Sequence, residues 1–495
     1  MLMRLLLSLT TPWLIWSSAT RPPLINRALI NGGLLLFGLQ AASAQVQAQT
    51  PAEFATVVEQ YVAEGLRGNL ALQSETLEVD KAVQALAAAR AKFLPELSLQ
   101  ARYSRNEGGR EIDLPLGTLL NPVYSTLNQL LAAQGQPAPF PQISDETIKF
   151  QRDREQDTRL ILRQPLYAPT IAAAVRAQRA LLDASSYRRM AIARTLRRDI
   201  TLGYLNWLKA RSAVAIVASS ETLLRENLRV NESLFNNGKV TEDQVLRAKA
   251  EMLDVEQQQR EADNQATQAQ SYLNFLLNRD LLSPLEPSAI PNLELQKENA
   301  LEQLWTQALQ RRPEIAQLEQ LKRASTEQVS IARKTRWPVL SLGLDAGTQG
   351  EQYRFGSGYN FGTASLIFTW RIFDGGGDAA RVRQARASER QLVLQQDEIA
   401  QQIRLEVQLS SSNLQTARDS LATAGARAEA AQAAFRIASR KRDEGVINQV
   451  EFIDARSTLT GAELNHTLTR FNVLARRAEL EYATSTGDLP LDPGV

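Results

Sequence analysis

From Glu96 to Tyr103 apolar and polar residues alternate without a break, with Leu97, Leu99, Ala101 and Tyr103 on one side and Glu96, Ser98, Gln100 and Arg102 on the other. Period two predicts a strand (95–104) whose polar face sees water and whose apolar face sees core or lipid. The alternation returns at 158–166, 339–347 and 363–371. In the last of these Ala364, Leu366, Phe368 and Trp370 oppose Thr363, Ser365, Ile367, Thr369 and Arg371. Residues 105–157 read as a loop, with Gly108, Gly109, Pro115, Pro122, Gly135 and three further prolines. A structureless stretch of that length is unusual in a compact domain and ordinary on the outer side of a membrane barrel.

Elsewhere the period is helical. Thr170–Asn237 contains no proline and one glycine, Gly203; Asp378–Glu444 contains no proline and one glycine, Gly425. Each predicts a helix about 100 Å long. The second carries an apolar stripe at seven-residue spacing (Val407, Leu414, Leu421, Ala428, Phe435), and three residues after each stands a small one (Ser410, Ala417, Ala424, Ala431, Ala438). That is coiled-coil spacing with one small member, suited to close helix packing. Gly238 and Gly445 end the two long helices, and their surroundings match: Leu246 and Ile453 stand at plus eight, Ala248 and Ala455 at plus ten. A glycine there supplies the left-handed C-cap, so each long helix folds back, 170–237 onto 240–278 and 378–444 onto 447–486.

The whole pattern occurs twice. Asn69 to Leu99 (helix, Phe93-Leu94-Pro95, strand) recurs a constant 243 residues on as Arg312 to Leu342 (helix, Arg336-Trp337-Pro338, strand). The expected organisation is a signal peptide at 1–44, a first repeat at 45–282, a linker at 283–311, a second repeat at 312–487 and a tail at 488–495. The leader is read from Arg21 and Arg27, the apolar run Ala28–Leu39 and Ala42-Ser43-Ala44. A membrane anchor is the alternative, but that run is too short to span.

Bulk properties narrow the function. Net charge is +2, so a nucleic-acid partner is not expected. There is no cysteine, which excludes disulfides, thiol chemistry and cysteine metal sites. The one histidine, His466, makes no metal site alone. Asp374-Gly375-Gly376-Gly377-Asp378 lacks the Lys-Ser/Thr of a phosphate loop and reads as a turn. Mean hydropathy is −0.27 and the body has no long apolar run. A membrane protein of this kind must be a barrel. Four strands cannot close one, so several copies have to share it. Two copies give eight strands and a filled interior, whereas three give twelve and room for water. Tyr103, Trp337, Tyr359, Phe361 and Trp370 flank the strands, as interface aromatics do.

The order helix, proline, strand, loop, strand, long helical hairpin, given twice, resembles the TolC-type outer-membrane efflux family. Arg154-Glu155-Gln156-Asp157-Thr158-Arg159 leading into Leu162-Arg163-Gln164-Pro165-Leu166, Ile372-Phe373-Asp374-Gly375-Gly376, and the two glycine turns carry the resemblance over about 53–487. It implies an α+β membrane protein without cofactor or catalysis. Three chains would form a 12-stranded barrel in the outer membrane, continued by a coiled-coil tunnel through the periplasm. That tunnel would dock on a periplasmic adaptor and an inner-membrane transporter. Cargo would be small molecules with a proton-driven pump, or polypeptides in type I secretion with an ATP-driven one. A periplasmic coiled-coil adaptor without a pore is the competing reading; it leaves the four amphipathic strands unexplained.

In the family's better-known members, acids at plus six and plus nine after the second turn glycine constrict the entrance. Here these are Glu451 and Asp454, with Gln244 at plus six after the first turn and Asp243 beside it. The competing view is that they are solvated acids at helix starts, favoured by the macrodipole. Gly238, Lys239, Val240 and Thr241, with Gly445, Val446 and Ile447, are the expected adaptor contact. In the family's type member an arginine two residues after the second glycine helps latch the closed tip, where this chain has Ile447. Arg440, Lys441 and Arg442 are the nearby substitutes.

Overall fold

The computed structural model describes residues 52–290, 300–487 and 489, all within one compact unit, Pro51–Val495. The expected leader, the middle of the expected linker and most of the expected tail lie outside the described residues.

In chain order the elements are β1 (Ala52–Glu53), α1 (Phe54–Gly68), α2 (Leu70–Ala91), β2 (Glu96–Arg105), β3 (Glu111–Leu114), α3 (Leu116–Ala133), β4 (Glu146–Lys149), β5 (Arg154–Tyr167), α4 (Pro169–Asn236), α5 (Glu242–Leu277), β6 (Ser288–Ala289), α6 (Leu301–Arg311), α7 (Pro313–Lys334), β7 (Val339–Gly350), β8 (Asn360–Thr369), α8 (Gly377–Asp443) and α9 (Gln449–Thr484). Strand ends differ from expectation. β5 begins at Arg154 rather than 158, β7 runs on to Gly350, and β8 spans 360–369 rather than 363–371, which leaves Trp370 and Arg371 beyond it. Trp370 instead donates its indole N–H to the Arg336 carbonyl at 3.1 Å.

The 105–157 stretch is a correction. It holds the β3–β4 hairpin and the 18-residue helix α3, with Pro122 inside the helix. Prolines and glycines suggested a loop. The segment also repeats Leu116, Leu119, Val123, Leu127 and Leu130 at three- and four-residue intervals, and that period prevails over one proline in the helix's second turn.

β2, β5, β7 and β8 form one antiparallel sheet in that order, with β2 and β8 as its edges. The register sorts the side chains, because residues directly opposite share a face. Leu97 pairs with Leu162, Leu162 with Leu344, and Leu344 with Ala364. Two residues along, Leu99 pairs with Leu160 and Leu160 with Ala346. The other face carries Ser98, Gln100, Arg102, Asp157, Arg159, Arg163 and Asp345. No described helix covers either face in the single chain, and Leu99 is 70% exposed.

On the polar face Asp157 is nearly buried. It takes an ion pair from Arg159 beside it and one at 3.6 Å from Arg102 across the strand. Arg159 continues over Gly347 to the Phe361 ring, 5.6 Å away. A Cβ on residue 347 would stand 2.7 Å from the Arg159 Cα, so only glycine admits this approach.

Below the sheet, α2 packs on α4, and α7 on both α4 and α8. Farther along, α5 returns on α4, α9 on α8, and α4 also meets α9. Arg188 of α4 pairs with Glu75 of α2 at 3.0 Å, and Arg176 with Glu327 of α7 at 2.8 Å. The stripe of α8 is buried at Val407, Ser410, Leu414, Ala417, Ala424 and Ala431 and half-buried at Leu421, Ala428, Phe435 and Ala438. α5 has its own stripe at the same spacing, Ala248, Val255, Ala262 and Ala269, and α9 has Phe452, Leu459, Val473 and Leu480. The largest core lies midway, where α1 meets α4 and α5. There Tyr204 stacks on Phe54 and Trp207 at 5.8 Å and meets Tyr61 edge-on at 5.4 Å. Its hydroxyl donates to the Glu286 carbonyl at 2.9 Å, and burial pushes its pKa up to about 12. A second core, around Leu304, Val407, Leu414 and Leu480, joins α6 to α8 and α9.

Candidate functional site

The far end of each hairpin is a tight reversal. Gly238 and Gly445 take φ of +66° and +72°. The Gly238 N–H donates to Phe235 O and the Lys239 N–H to Leu234 O, at 2.8 and 2.9 Å. The Gly445 N–H donates to Arg442 O and the Val446 N–H to Lys441 O, at 2.9 and 2.8 Å. Both turns are therefore Schellman motifs, which need a left-handed residue at that point. The return helices start differently. Asn448 accepts the Glu451 backbone N–H at 2.9 Å, a true N-cap with a glutamate at its third position. Thr241 makes no such bond, and its hydroxyl turns to Asp243.

Glu451 and Asp454 lie exposed on one side of the first turns of α9. Asp243 is exposed and Gln244 half-buried at the start of α5. No hydrogen bond or ion pair among the described residues joins one pair to the other, so within one chain each pair stands on its own hairpin. Gly238, Lys239, Thr241, Gly445 and Val446 are exposed, and Val240 and Ile447 are half-buried. Val446 keeps 67% of its surface open. Of the suggested latch residues, Arg442 lies over the Phe452 ring at 4.0 Å and pairs with Asp443 at 3.2 Å, so it is engaged inside its own hairpin.

One residue here escaped the sequence reading. Arg456 is 7% exposed, packed between hairpins beside Ser220, Glu251, Asp254 and Thr460 around a cavity of about 240 Å³. It lies over the Phe435 ring at 5.4 Å, and its Nε has no acceptor among the described residues. Burial lowers its pKa, with Glu463 partly opposing. The signal was present: Phe452, Arg456 and Leu459 follow four-then-three spacing, so the arginine occupies a core slot.

Comparison with known proteins agrees with this architecture. The family described as "Outer membrane efflux protein" matches residues 62–279 and 304–486. No curated protein matches the chain. Among solved structures, the Campylobacter jejuni CmeC outer membrane channel is similar at TM-score 0.72 and 16% identity, covering 94% of this chain and 96% of that one. The outer-membrane channel OprN gives 0.70 and 19%, covering 88% and 92%. The open-state Neisseria gonorrhoeae MtrE outer membrane channel gives 0.67 and 17%, covering 88% and 89%. Such identities speak for the fold; the family match spans most of the chain and speaks for more. With its two-faced open sheet and paired long hairpins, the chain belongs to the outer membrane efflux protein family and is an outer-membrane channel extending into the periplasm.

Proposed function

We propose that three copies close one 12-stranded barrel and act as a passive duct, taking small molecules or polypeptides from an inner-membrane transporter through a periplasmic adaptor. The carrying observation is the sheet: two open edges, one apolar face and one face of charges. An open edge in lipid leaves backbone groups unsatisfied at several kcal/mol each. β2 and β8 run in opposite directions, so β8 of one copy continues antiparallel onto β2 of the next. Twelve strands then put the apolar face on lipid and Gln100, Arg102, Asp157 and Arg159 in an aqueous lumen.

At the other end, Gly238 to Thr241 and Gly445 to Ile447 form the adaptor contact. Val446, apolar and exposed on a turn, supports this beyond the glycines' own backbone need. Glu451 and Asp454, with Gln244 and Asp243, constrict the pore, and threefold repetition turns each acid into a ring favouring cations. The test of the duct is an unboiled gel of outer-membrane extract together with planar-bilayer conductance. Heat-modifiable trimers that conduct are expected; a detergent-independent, non-conducting monomer would overturn the proposal. For the tip, Val446→Glu should abolish adaptor crosslinking and lower drug tolerance in a strain that depends on this channel. If both stay at wild-type level, the adaptor contact lies elsewhere.

A further inference from the structure

Among the described residues, nothing covers one face of helix α3. It has no charged residue over 18 positions. At about 100° per residue, Leu116, Leu119, Leu120, Val123, Leu127 and Leu130 form one stripe. All six are exposed, Leu119 by 65% and Leu130 by 57%. The opposite side is clasped. Asn121 exchanges two hydrogen bonds with the Ile143 backbone, both 2.8 Å, and Asn128 exchanges two with Phe140, 2.7 and 3.1 Å. Asp145 caps the helix start, accepting the Thr118 N–H at 2.9 Å and its hydroxyl at 2.7 Å. The segment 134–146 thus covers the polar side and leaves the leucine stripe displayed.

Two occupants suit such a stripe: a lipid surface or a second copy of the chain. The charge of the module decides between them. Residues 106–153 carry six carboxylates against three cations. Helices that lie on membranes bear lysine and arginine beside the apolar face. This module lacks the cations that draw such a helix to phosphate-bearing headgroups, whereas packing against another copy's leucine stripe needs none. Position agrees. The module continues the β2–β5 hairpin, since the Asn106 N–H donates to the Asp153 carbonyl at 3.0 Å and the Phe150 N–H to the Arg110 carbonyl at 3.1 Å. It therefore stands on the barrel rim away from the tunnel. A 12-stranded barrel with strands about 4.8 Å apart and tilted about 40° is about 24 Å across. Three helices with axes about 9 Å apart span about 20 Å.

We propose that the α3 helices of three copies pack stripe to stripe over the outer mouth and constrict it. This rests on the trimeric reading, and the test separates the two. The chain has no cysteine, so single-cysteine variants of the full protein report contacts cleanly. Under mild oxidation in outer membranes, Leu127→Cys should give a covalent dimer band and Ser125→Cys, on the clasped side, none. Unboiled samples of the same membranes report the trimer. Trimers without the Leu127→Cys crosslink overturn the lid and leave the duct standing; absence of trimers overturns both. An environment-sensitive fluorophore on the Leu127→Cys variant that is quenched by spin-labelled lipid also overturns it, in favour of a lipid occupant. Independently, replacing Leu119, Val123, Leu127 and Leu130 with serine should raise bilayer conductance severalfold, and unchanged conductance rejects the constriction.

Discussion

In the first repeat the long helix has 68 residues, its return helix 36 and the short helix before the sheet 22; in the second repeat the lengths are 67, 36 and 22. The outer loops share nothing of this. One runs over 106–153 with its own hairpin and helix, the other over 351–359. Helices that pack side by side must reach the same levels, or they leave backbone and apolar surface without partners. Loops that end in solvent carry no such constraint and are free to acquire a task of their own. The two turns at the far end fall between these extremes: identical at the glycine, different at the cap.

The largest expected effect breaks the contrast between the two faces of the sheet. Leu99→Arg puts a cation on the lipid side, at a cost of about 2–4 kcal/mol near the midplane, and should abolish trimers in the outer membrane. Ser98→Arg, one residue away on the lumen side, should assemble normally and alter ion selectivity; equal loss in both would mean that the faces are assigned wrongly. Next, Arg456→Met removes a buried charge while keeping a long side chain. Thermal unfolding should move upward by about 1 kcal/mol, and a drop would show that the arginine finds an acceptor in the assembly.

The comparison of the two return helices is finer. Asn448→Ala should cost about 1 kcal/mol, as lost caps do, and speed hydrogen exchange at the start of α9. Thr241→Ala should change α5 only slightly, since that side chain caps nothing. The smallest effect concerns the outer module. Hydrogen bonds from the Thr118 backbone and hydroxyl hold the Asp145 carboxyl below its ordinary pKa. Its contribution to order is therefore present above the unfolded value, about 3.9, and is lost as pH falls through the lower folded value. Exchange protection at the start of α3 should fall on acidification below about pH 4, and Asp145→Asn should remove that dependence.

Much of this was legible because its patterns are strong. Strict alternation at 96–103 and the Val407-to-Phe435 stripe each admit one period, and paired glycines at helix ends admit one turn. The stripe of α5 was harder to see because alanines every seven residues hardly register as hydrophobic, and that of α9 because His466 interrupts it between Leu459 and Val473. α3 was hidden by Pro122 and the flanking Gly108, Gly109 and Gly135, which outweighed its leucines. Arg456 was passed over because a charged residue reads as surface even in a core slot. The tip residues were placed by position alone, and within one chain Glu451 and Asp454 stand on one hairpin and Gln244 and Asp243 on the other.

The even number of strands has a consequence for biogenesis. β2 is entered from α2 and β5 leaves into α4, while β7 is entered from α7 and β8 leaves toward α8. All four helical arms thus attach to the same rim. During insertion only the two connections at the opposite rim have to be threaded through the bilayer, and the hundred-ångström arms never do. The heavier passenger is the acidic 106–153 segment, so its length and charge should set how fast a newly made chain completes its passage.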